Sequence, residues 1–247
     1  MGQSIVRVPS GVEGFDQLIA GGFSPGSTNL VSGPSGSGKT LFSLTFANTG
    51  AMKGEPTVYL ALEEPRTSLR KAMIDLGFDP LPLEERGVLT FVDLGEMRKL
   101  AEGEEFISFS RLESILEGML DASQASRLVV DSLAVVGLTY RSPREFRREL
   151  FKFGRFLQDR HVTSLLVTEM PEGGELTRFG VEQFIADSFI TLHLERRKGE
   201  LVRSIVVRKM RFTHHDVAVH PFLVTARGLR VAGDVRLAEG EDHGVRG

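Results

Sequence analysis

Residues 33–40 read Gly-Pro-Ser-Gly-Ser-Gly-Lys-Thr, which matches the G-x-x-x-x-G-K-T pattern of a phosphate-binding loop. Residues 28–32 (TNLVS) predict a short buried strand before the loop, and residues 41–47 (LFSLTFA) predict a helix after it. A glycine-rich loop between a strand and a helix N-terminus binds phosphate, because its backbone N–H groups converge on the anion. The alternative, an ordinary turn rich in glycine and serine, does not explain the flanking strand and helix.

The side chains of the loop indicate which ligand it binds. Lys39 is placed to reach the β- and γ-phosphates of a nucleotide, and the Thr40 hydroxyl is placed to ligate Mg²⁺. We therefore expect ATP and Mg²⁺ as cofactors. The residues expected to hold the nucleotide at this loop are Ser35, Gly36, Ser37, Gly38, Lys39, Thr40 and Leu41.

Composition excludes several other classes of protein. The 247 residues are 41% hydrophobic and include no cysteine, which excludes disulfides, zinc–thiolate sites and cysteine catalysis. No apolar run reaches the roughly 18 residues of a membrane span, and residues 1–11 lack the apolar region of a secretory signal. A net charge of −3 gives no global electrostatic support for nucleic-acid binding. We expect a cytoplasmic protein with no membrane partner.

The order of elements along the chain predicts an α/β fold with a mostly parallel central sheet flanked by helices. The last third, from residue 188, instead reads as a C-terminal β-hairpin region with a turn at 197–200. We expect one domain over residues 1–237 and a disordered tail at 238–247. Further strands are predicted at 57–62, 88–92, 128–131 and 163–169, helices at 67–75, 110–122 and 142–158, and a surface loop at 94–109.

Two predicted helices begin with residues typical of an N-terminus. Ser110 is followed three residues later by Glu113, which indicates a capping box. Ser142 is followed by Pro143, which fits an N-cap serine with proline in the first helical position.

Acidic residues follow several of the predicted strands, where open α/β sheets place their ligand sites. Asp131 suits a Mg²⁺-organising role, although an acid in this position also caps helices. Glu63 and Glu64 are candidates to orient and deprotonate a water molecule, or else form a solvated acidic turn. Glu169 is a candidate to sense the γ-phosphate or position water, or else is an ordinary loop acid.

A cation pair lies in the last third of the chain. Lys209 and Arg211 fall on one side of an extended segment, with Met210 on the other. Such a pair can neutralise charge that develops on a γ-phosphate, as an arginine finger does. The residues alone equally fit a solvated edge strand.

The ordered set of motifs resembles the KaiC family of circadian-clock ATPases and their single-domain relatives in the RecA-like superfamily. The resemblance covers about residues 7–233. Its motifs are GVEGFDQLIAGGFSPGSTNLVSGPSGSGKTLFS (11–43), LEEP (62–65), LVVDSL (128–133), RRELFKFGRFL (147–157), VTE (167–169), RFGVEQFIADSFITL (178–192), VRKMRFTHHD (207–216) and a closing ARGLRV (226–231).

The resemblance implies a RecA-like P-loop NTPase core that forms a hexameric ring with ATP between neighbours. It implies that Glu63 and Glu64 are the catalytic acid pair, with Glu63 the base. It also implies that Lys209 and Arg211 belong to a K-x-R segment that reaches the neighbour's ATP. Further nucleotide contacts implied on that segment are Thr213 and His215.

The chain also departs from the clock protein, which has two such domains and a phosphorylatable Ser-Thr pair in the second. Here the best register puts Glu182 and Gln183 at those positions, so we expect no autokinase activity. An acid found near the adenine in the family is replaced here by Ala226. A clock role is therefore not implied.

Taken together, these features predict a Mg²⁺-dependent, regulatory or signalling ATPase that forms a homohexamer and acts on an unidentified protein partner. One alternative is a RecA-like DNA-handling motor or recombinase, which the acidic Glu172 and Glu175 after the last parallel strand disfavour. Another alternative is a nucleotide-binding scaffold with little turnover. A salt-dependent mobility shift and steady-state phosphate release distinguish these possibilities.

Overall fold

A computed structural model describes residues 6–95, 107–171, 175–197 and 199–237, and these fold around a nine-stranded sheet. The strands are β1 (Thr28–Gly33), β2 (Thr57–Ala61), β3 (Leu89–Asp93), β4 (Arg127–Asp131), β5 (Thr163–Glu169), β6 (Ser188–Arg197), β7 (Glu200–Met210), β8 (His220–Thr225) and β9 (Gly228–Val231). The helices are α1 (Lys39–Met52), α2 (Arg66–Asp75), α3 (Leu81–Glu85), α4 (Phe109–Ser123), α5 (Leu133–Gly137) and α6 (Pro143–Asp159). Short 3₁₀ turns lie at Asp16–Ile19 and Glu182–Phe184.

The strand order is β3-β2-β4-β5-β1-β6-β7-β8-β9. The strands from β3 to β6 in this order run parallel, and β7, β8 and β9 continue the sheet antiparallel. The predicted α/β class, the mostly parallel core and the C-terminal hairpins are therefore confirmed. The expected tail at 238–247 and most of the expected loop at 94–109 lie outside the described residues.

Alternate residues of the parallel strands point into two separate hydrophobic cores. Tyr59 and Val129 face a core shared with α1, α2 and the β8–β9 hairpin. Val58 and Leu128 face the other core, which is shared with α4 and α6. Burial on both faces explains why the parallel strands read as continuous apolar runs rather than as alternating patterns.

Helix termini confirm one capping prediction and correct the other. Ser142 caps α6, since its side chain accepts a hydrogen bond from the Glu145 N–H at 3.2 Å. The predicted cap Ser110 is wrong: Ser108 caps α4 by accepting from the Arg111 N–H at 3.3 Å. The prediction failed because the buried Phe109 already opens the helix, which the local pattern around Ser110 does not reveal.

The topology fixes where ligand-binding side chains can meet. The carboxyl ends of β2, β4, β5 and β1 are neighbours at one edge of the sheet. The phosphate-binding loop leaves β1 at this edge and leads into α1. Side chains that follow these strands therefore surround the loop.

Candidate functional site

The loop between β1 and α1 depends on its glycines. Gly36 and Gly38 have φ angles of 74° and 105°, in the left-handed region that residues with a Cβ disfavour. Gly33 is instead required by crowding: a Cβ there would lie 2.6 Å from Ser37 Oγ and 2.7 Å from the Leu192 carbonyl oxygen. The backbone can therefore turn tightly and present its N–H groups at the helix N-terminus.

Lys39, the first residue of α1, bends back over the loop. Its ammonium donates to the carbonyl oxygens of Gly33 (2.9 Å) and Pro34 (3.0 Å). Burial lowers the pKa of Lys39, and the nearby carboxylates of Glu169, Asp131 and Glu63 act in the opposite direction. The cation and the strand-end acids thus share one electrostatic environment.

A cavity of about 340 Å³ joins the loop to those acids. Its lining includes Glu63 and Glu64 after β2, Asp131 at the end of β4 and Glu169 at the end of β5. The remaining lining residues are Ser35, Gly36, Gly38, Lys39, Thr40, Leu41 and Ser132. Ser37 does not line the cavity, because its buried hydroxyl donates back to the Pro34 carbonyl oxygen at 2.8 Å.

Asp131 is fixed in place by neighbouring hydroxyl groups. The Tyr59 hydroxyl donates to Asp131 Oδ2 at 2.8 Å and lies 2.8 Å from Ser43 Oγ. Burial raises the pKa of Asp131, and its hydrogen bonds with Tyr59 and with the Thr40 hydroxyl oppose this rise. Burial, with the Asp131 charge nearby, also raises the pKa of Tyr59 well above its usual value, so Tyr59 stays a proton donor.

The side chains of Thr40 and Asp131 fit the chemistry of Mg²⁺, which prefers oxygen ligands and uses few protein groups when it also binds phosphates. Within the described ranges, no group of three or more His, Cys, Asp or Glu side chains converges to hold a metal ion. Thr40 and Asp131 therefore supply two oxygen donors beside the loop, of the kind that Mg²⁺ prefers.

The other acids of the cavity differ in their partners. Glu63 Oε1 accepts from the Ser132 hydroxyl at 2.6 Å, which orients this carboxylate. Both Glu63 and Glu64 are exposed residues. Glu169 forms an ion pair with Arg178 at 3.2 Å, in which both side chains are partly exposed.

The second group of predicted residues, Lys209, Arg211, Thr213 and His215, does not line this cavity. Met210, between the two cations, pairs with Ser188 at the start of β6, and Ser188 pairs with Asn29 near the start of β1. From that level, β1 rises by about 13 Å to reach the loop, at roughly 3.3 Å per residue. The cation pair therefore lies at the amino edge of the parallel strands, opposite the loop.

Each member of this second group has a contact of its own at that edge. Lys209 donates to backbone carbonyl oxygens, and Arg211 pairs with Asp187 at 3.4 Å. Thr213 Oγ1 accepts from Arg7 at 3.0 Å, and His215 Nδ1 lies 3.2 Å from the Thr213 carbonyl oxygen.

Some residues at the site were not predicted from the sequence. Arg203, on β7, donates through Nε and Nη2 to the loop carbonyl of Gly36 at 3.3 and 3.2 Å. Nothing in its local sequence signals this contact, because it arises only when β7 joins the sheet through β6. Tyr59 lies within the strand predicted at 57–62, and Ser132 follows the strand predicted at 128–131. Neither is predicted as a site residue, because its hydrogen-bond partner comes from another part of the chain.

Comparison with known families matches residues 8–236 to the family described as "ATPase: KaiC". This chain belongs to the KaiC ATPase family. A UPF0273 protein of Thermotoga maritima is 35% identical over 237 residues, and the match covers 91% of this chain and 95% of that protein. The circadian clock oscillator protein KaiC of Synechococcus elongatus is 33% identical over 244 residues, which cover 96% of this chain but 46% of the clock protein.

A solved structure agrees with membership in the KaiC family. The KaiC-like protein of the hyperthermophilic archaeon Pyrococcus horikoshii is 36% identical, with a TM-score of 0.81. The match covers 92% of this chain and 99% of that one. The KaiC-like, RecA-type fold is therefore established. Among the described residues, no helix combines the length and the apolar character that crossing a membrane requires.

Proposed function

We propose that this chain is a Mg²⁺-dependent ATPase that works as a homohexameric ring, with each ATP bound between two copies of the chain. The observation that carries the proposal is the division of the candidate residues between two edges of one sheet. The loop and the strand-end carboxylates share a cavity at the carboxyl edge, whereas Lys209 and Arg211 lie at the amino edge. A second copy can bring its amino edge to the first copy's cavity, and the two halves then form one site.

At the carboxyl edge, the loop amides and Lys39 bind the phosphates, and Thr40 with Asp131 holds Mg²⁺. When bound, Mg²⁺ supplies charge neutralisation at the β- and γ-phosphates. Glu63 takes the proton of the attacking water, a role supported by the Ser132 hydrogen bond that orients its carboxylate. Glu64 and Glu169 help to position that water and sense the γ-phosphate.

At the amino edge, Lys209 and Arg211 serve the nucleotide of the neighbouring copy. They stabilise the charge that develops on the γ-phosphate oxygens during transfer, as an arginine finger does. Thr213 and His215 add contacts to the same nucleotide.

We further propose a regulatory or signalling role, in which hydrolysis changes the ring and an unidentified protein partner responds. The similarity to a circadian clock oscillator protein supports such a role. The net charge of −3 argues against a nucleic-acid partner.

The experiment that tests this proposal mixes two variants, each of which lacks a residue from a different half of the site. Lys39→Ala removes the phosphate-binding cation but keeps the amino edge, and Arg211→Ala keeps the loop but removes the finger. We expect each variant alone to lose most ATPase activity, and Arg211→Ala still to bind ATP, because a finger stabilises the transition state more than the ground state. The mixture should regain activity, since an intact loop can pair with an intact finger from the other variant.

Arg208→Ala serves as the matched control. Arg208 lies on β7, three residues before Arg211, but its side chain donates to Thr191 on the chain's own β6. This variant should keep its activity and gain nothing from mixing. Mixed Lys39→Ala and Arg211→Ala rings without regained activity, or a monomer that hydrolyses ATP at full rate, would contradict the shared site.

A further inference from the structure

One stretch of chain, residues 177–187, runs between the two edges of the sheet, and we refer to it as the connecting segment. Near its start, Arg178 pairs with Glu169 at the cavity. At its end, Asp187 accepts from Arg211 at 3.4 Å and from the Thr28 N–H at 2.9 Å. The connecting segment therefore contacts both halves of the proposed site.

A buried carboxylate holds the middle of the connecting segment. Glu182 is 0% exposed. Its Oε1 accepts from the Thr168 hydroxyl at 3.1 Å and from the Phe179 N–H at 3.2 Å, and its Oε2 accepts from the Val181 N–H at 3.1 Å. Thr168 is the residue before Glu169 on β5, so this carboxylate ties the connecting segment to the strand that carries a cavity acid.

The residues that follow Glu182 hold the ammonium of Lys209. Lys209 Nζ donates to the Gln183 carbonyl oxygen at 3.2 Å and to the Ala186 carbonyl oxygen at 2.5 Å. The direction of this ammonium is thus set by the backbone path directly after the buried carboxylate. The Arg178–Glu169 pair at the other end joins two partly exposed side chains, a kind of contact that constrains geometry weakly.

We propose that Glu182 is a positioning residue for Lys209: by fixing the connecting segment on β5, it aims the Lys209 ammonium toward the nucleotide of the neighbouring copy. This inference rests on the proposed shared site. Glu182 does more than stabilise the fold, because the backbone that it orders carries the carbonyl oxygens that bind the Lys209 ammonium. Loss of Glu182 should therefore impair the Lys209 and Arg211 half-site of the same chain. The phosphate-binding loop of that chain should still bind ATP.

The chemistry of the contact explains why an acid occupies this place. Two of its donors are backbone N–H groups that have no other acceptor in the contacts described, and an ionised carboxylate offers only acceptor positions. Alanine would leave these buried donors without a partner. Glutamine can keep one oxygen on the amides and turn its NH₂ toward the Thr168 hydroxyl, so it should preserve much of the geometry.

The test uses directional complementation in the assembled protein. We expect Glu182→Ala to bind ATP normally and to lower kcat by about 10- to 100-fold, the scale of a misplaced reacting group. Mixing Glu182→Ala with Lys39→Ala should restore activity, because Lys39→Ala supplies intact fingers. Mixing Glu182→Ala with Arg211→Ala should restore nothing, because neither variant has a competent finger.

Two further variants separate positioning from loss of folding. Glu182→Gln should recover most of the lost kcat, and Glu175→Gln, which alters an exposed acid just before the connecting segment, should behave as the unaltered protein. If Glu182→Ala does not fold, Thr168→Val removes one hydrogen bond of the same carboxylate and should show the same one-sided complementation, with a smaller loss.

The outcomes distinguish the two proposals. If Lys39→Ala and Arg211→Ala fail to complement each other, the shared site itself is wrong. If they do complement each other but Glu182→Ala regains no activity with Lys39→Ala, or regains activity with Arg211→Ala, the positioning role of Glu182 is refuted.

Discussion

At the scale of single residues, the site brings buried charges of opposite sign close together. Lys39 has its pKa lowered by burial, and Asp131 has its pKa raised by burial, so each charged form is disfavoured where it lies. The two charges partly compensate each other. Fixed hydroxyl groups also stabilise the Asp131 carboxylate, and two loop carbonyl oxygens accept from Lys39. Such a site favours a ligand that brings its own charges, as the proposed ATP–Mg²⁺ does.

Glu63→Gln tests the proposed base. Glutamine can still accept from the Ser132 hydroxyl, so the side chain should stay in place while it loses the ability to take a proton. We expect ATP binding to persist and hydrolysis to slow by on the order of 10²–10⁴, the usual contribution of general-base catalysis. Steady-state phosphate release and ATP titration measure the two effects. Glu85→Gln, an exposed acid at the end of α3, is the control, and an equally mild effect of both changes would refute the role of Glu63.

Asp131→Asn tests the proposed metal ligand through stability as well as binding. Folding raises the pKa of Asp131 above its ordinary value of 3.8. The folded protein therefore loses stability as the pH rises through the raised pKa and this carboxyl becomes charged. Without nucleotide, the variant should therefore melt at a higher temperature than the parent at pH 7. The difference should shrink as the pH falls and the parent's carboxyl becomes protonated.

With ATP and Mg²⁺ present, the parent should melt at a higher temperature than Asp131→Asn. A ligand raises the melting temperature more when it binds the folded protein more tightly, and the parent should bind ATP–Mg²⁺ more tightly. Thermal denaturation at several pH values, with and without the ligand, measures both effects. A variant that is less stable at neutral pH and equally stabilised by ATP–Mg²⁺ would show that Asp131 serves the fold instead.

At the scale of elements, Arg127, the first residue of β4, contacts three other parts of the chain. Its side chain is 1% exposed and pairs with Glu55 at 2.5 Å. It also donates to the carbonyl oxygens of Pro9 (2.9 Å) and Phe46 (3.1 Å) and lies 4.7 Å from the centre of the Phe46 ring. The N-terminal segment, α1 and the sheet are thereby fixed to one another.

Arg127→Met should destabilise the protein by about 2–4 kcal/mol, because buried carbonyl oxygens lose their donors and the packing around the side chain changes. Glu55 is 37% exposed and can be solvated, so the loss should stay below that of a fully buried broken ion pair. Urea denaturation measures the change. Arg86→Met, at an exposed arginine, should stay within about 0.5 kcal/mol, and similar values for both variants would contradict this account.

At the scale of the whole molecule, the two proposed half-sites lie on opposite edges of one sheet, so a single chain cannot bring them together. Assembly should therefore depend on the nucleotide, because ATP that contacts two copies binds the assembled form more tightly. We expect mass measurement in solution to show a larger assembly with ATP and Mg²⁺ than without them. Lys39→Ala should not respond to ATP, and an active monomer at all ATP concentrations would contradict the expectation.

The sequence by itself determined the residues of one proposed half-site. The loop at 33–40 needs only local glycines, a lysine and a threonine between a strand and a helix, and all of these are adjacent in the chain. Acids that follow buried strands were also predictable, because parallel strands end at a common edge. The α/β class follows from the same alternation of elements, and it is confirmed by the sheet order.

Only the tertiary structure decided which distant residues meet. The contact of Arg203 with the loop, the hydrogen bond from Tyr59 to Asp131 and the burial of Glu182 each join residues from separate elements. The cap of α4 is Ser108 rather than the predicted Ser110, because the helix begins at the buried Phe109. Pairing between strands fixes these contacts, and pairing depends on long-range packing that no local pattern encodes.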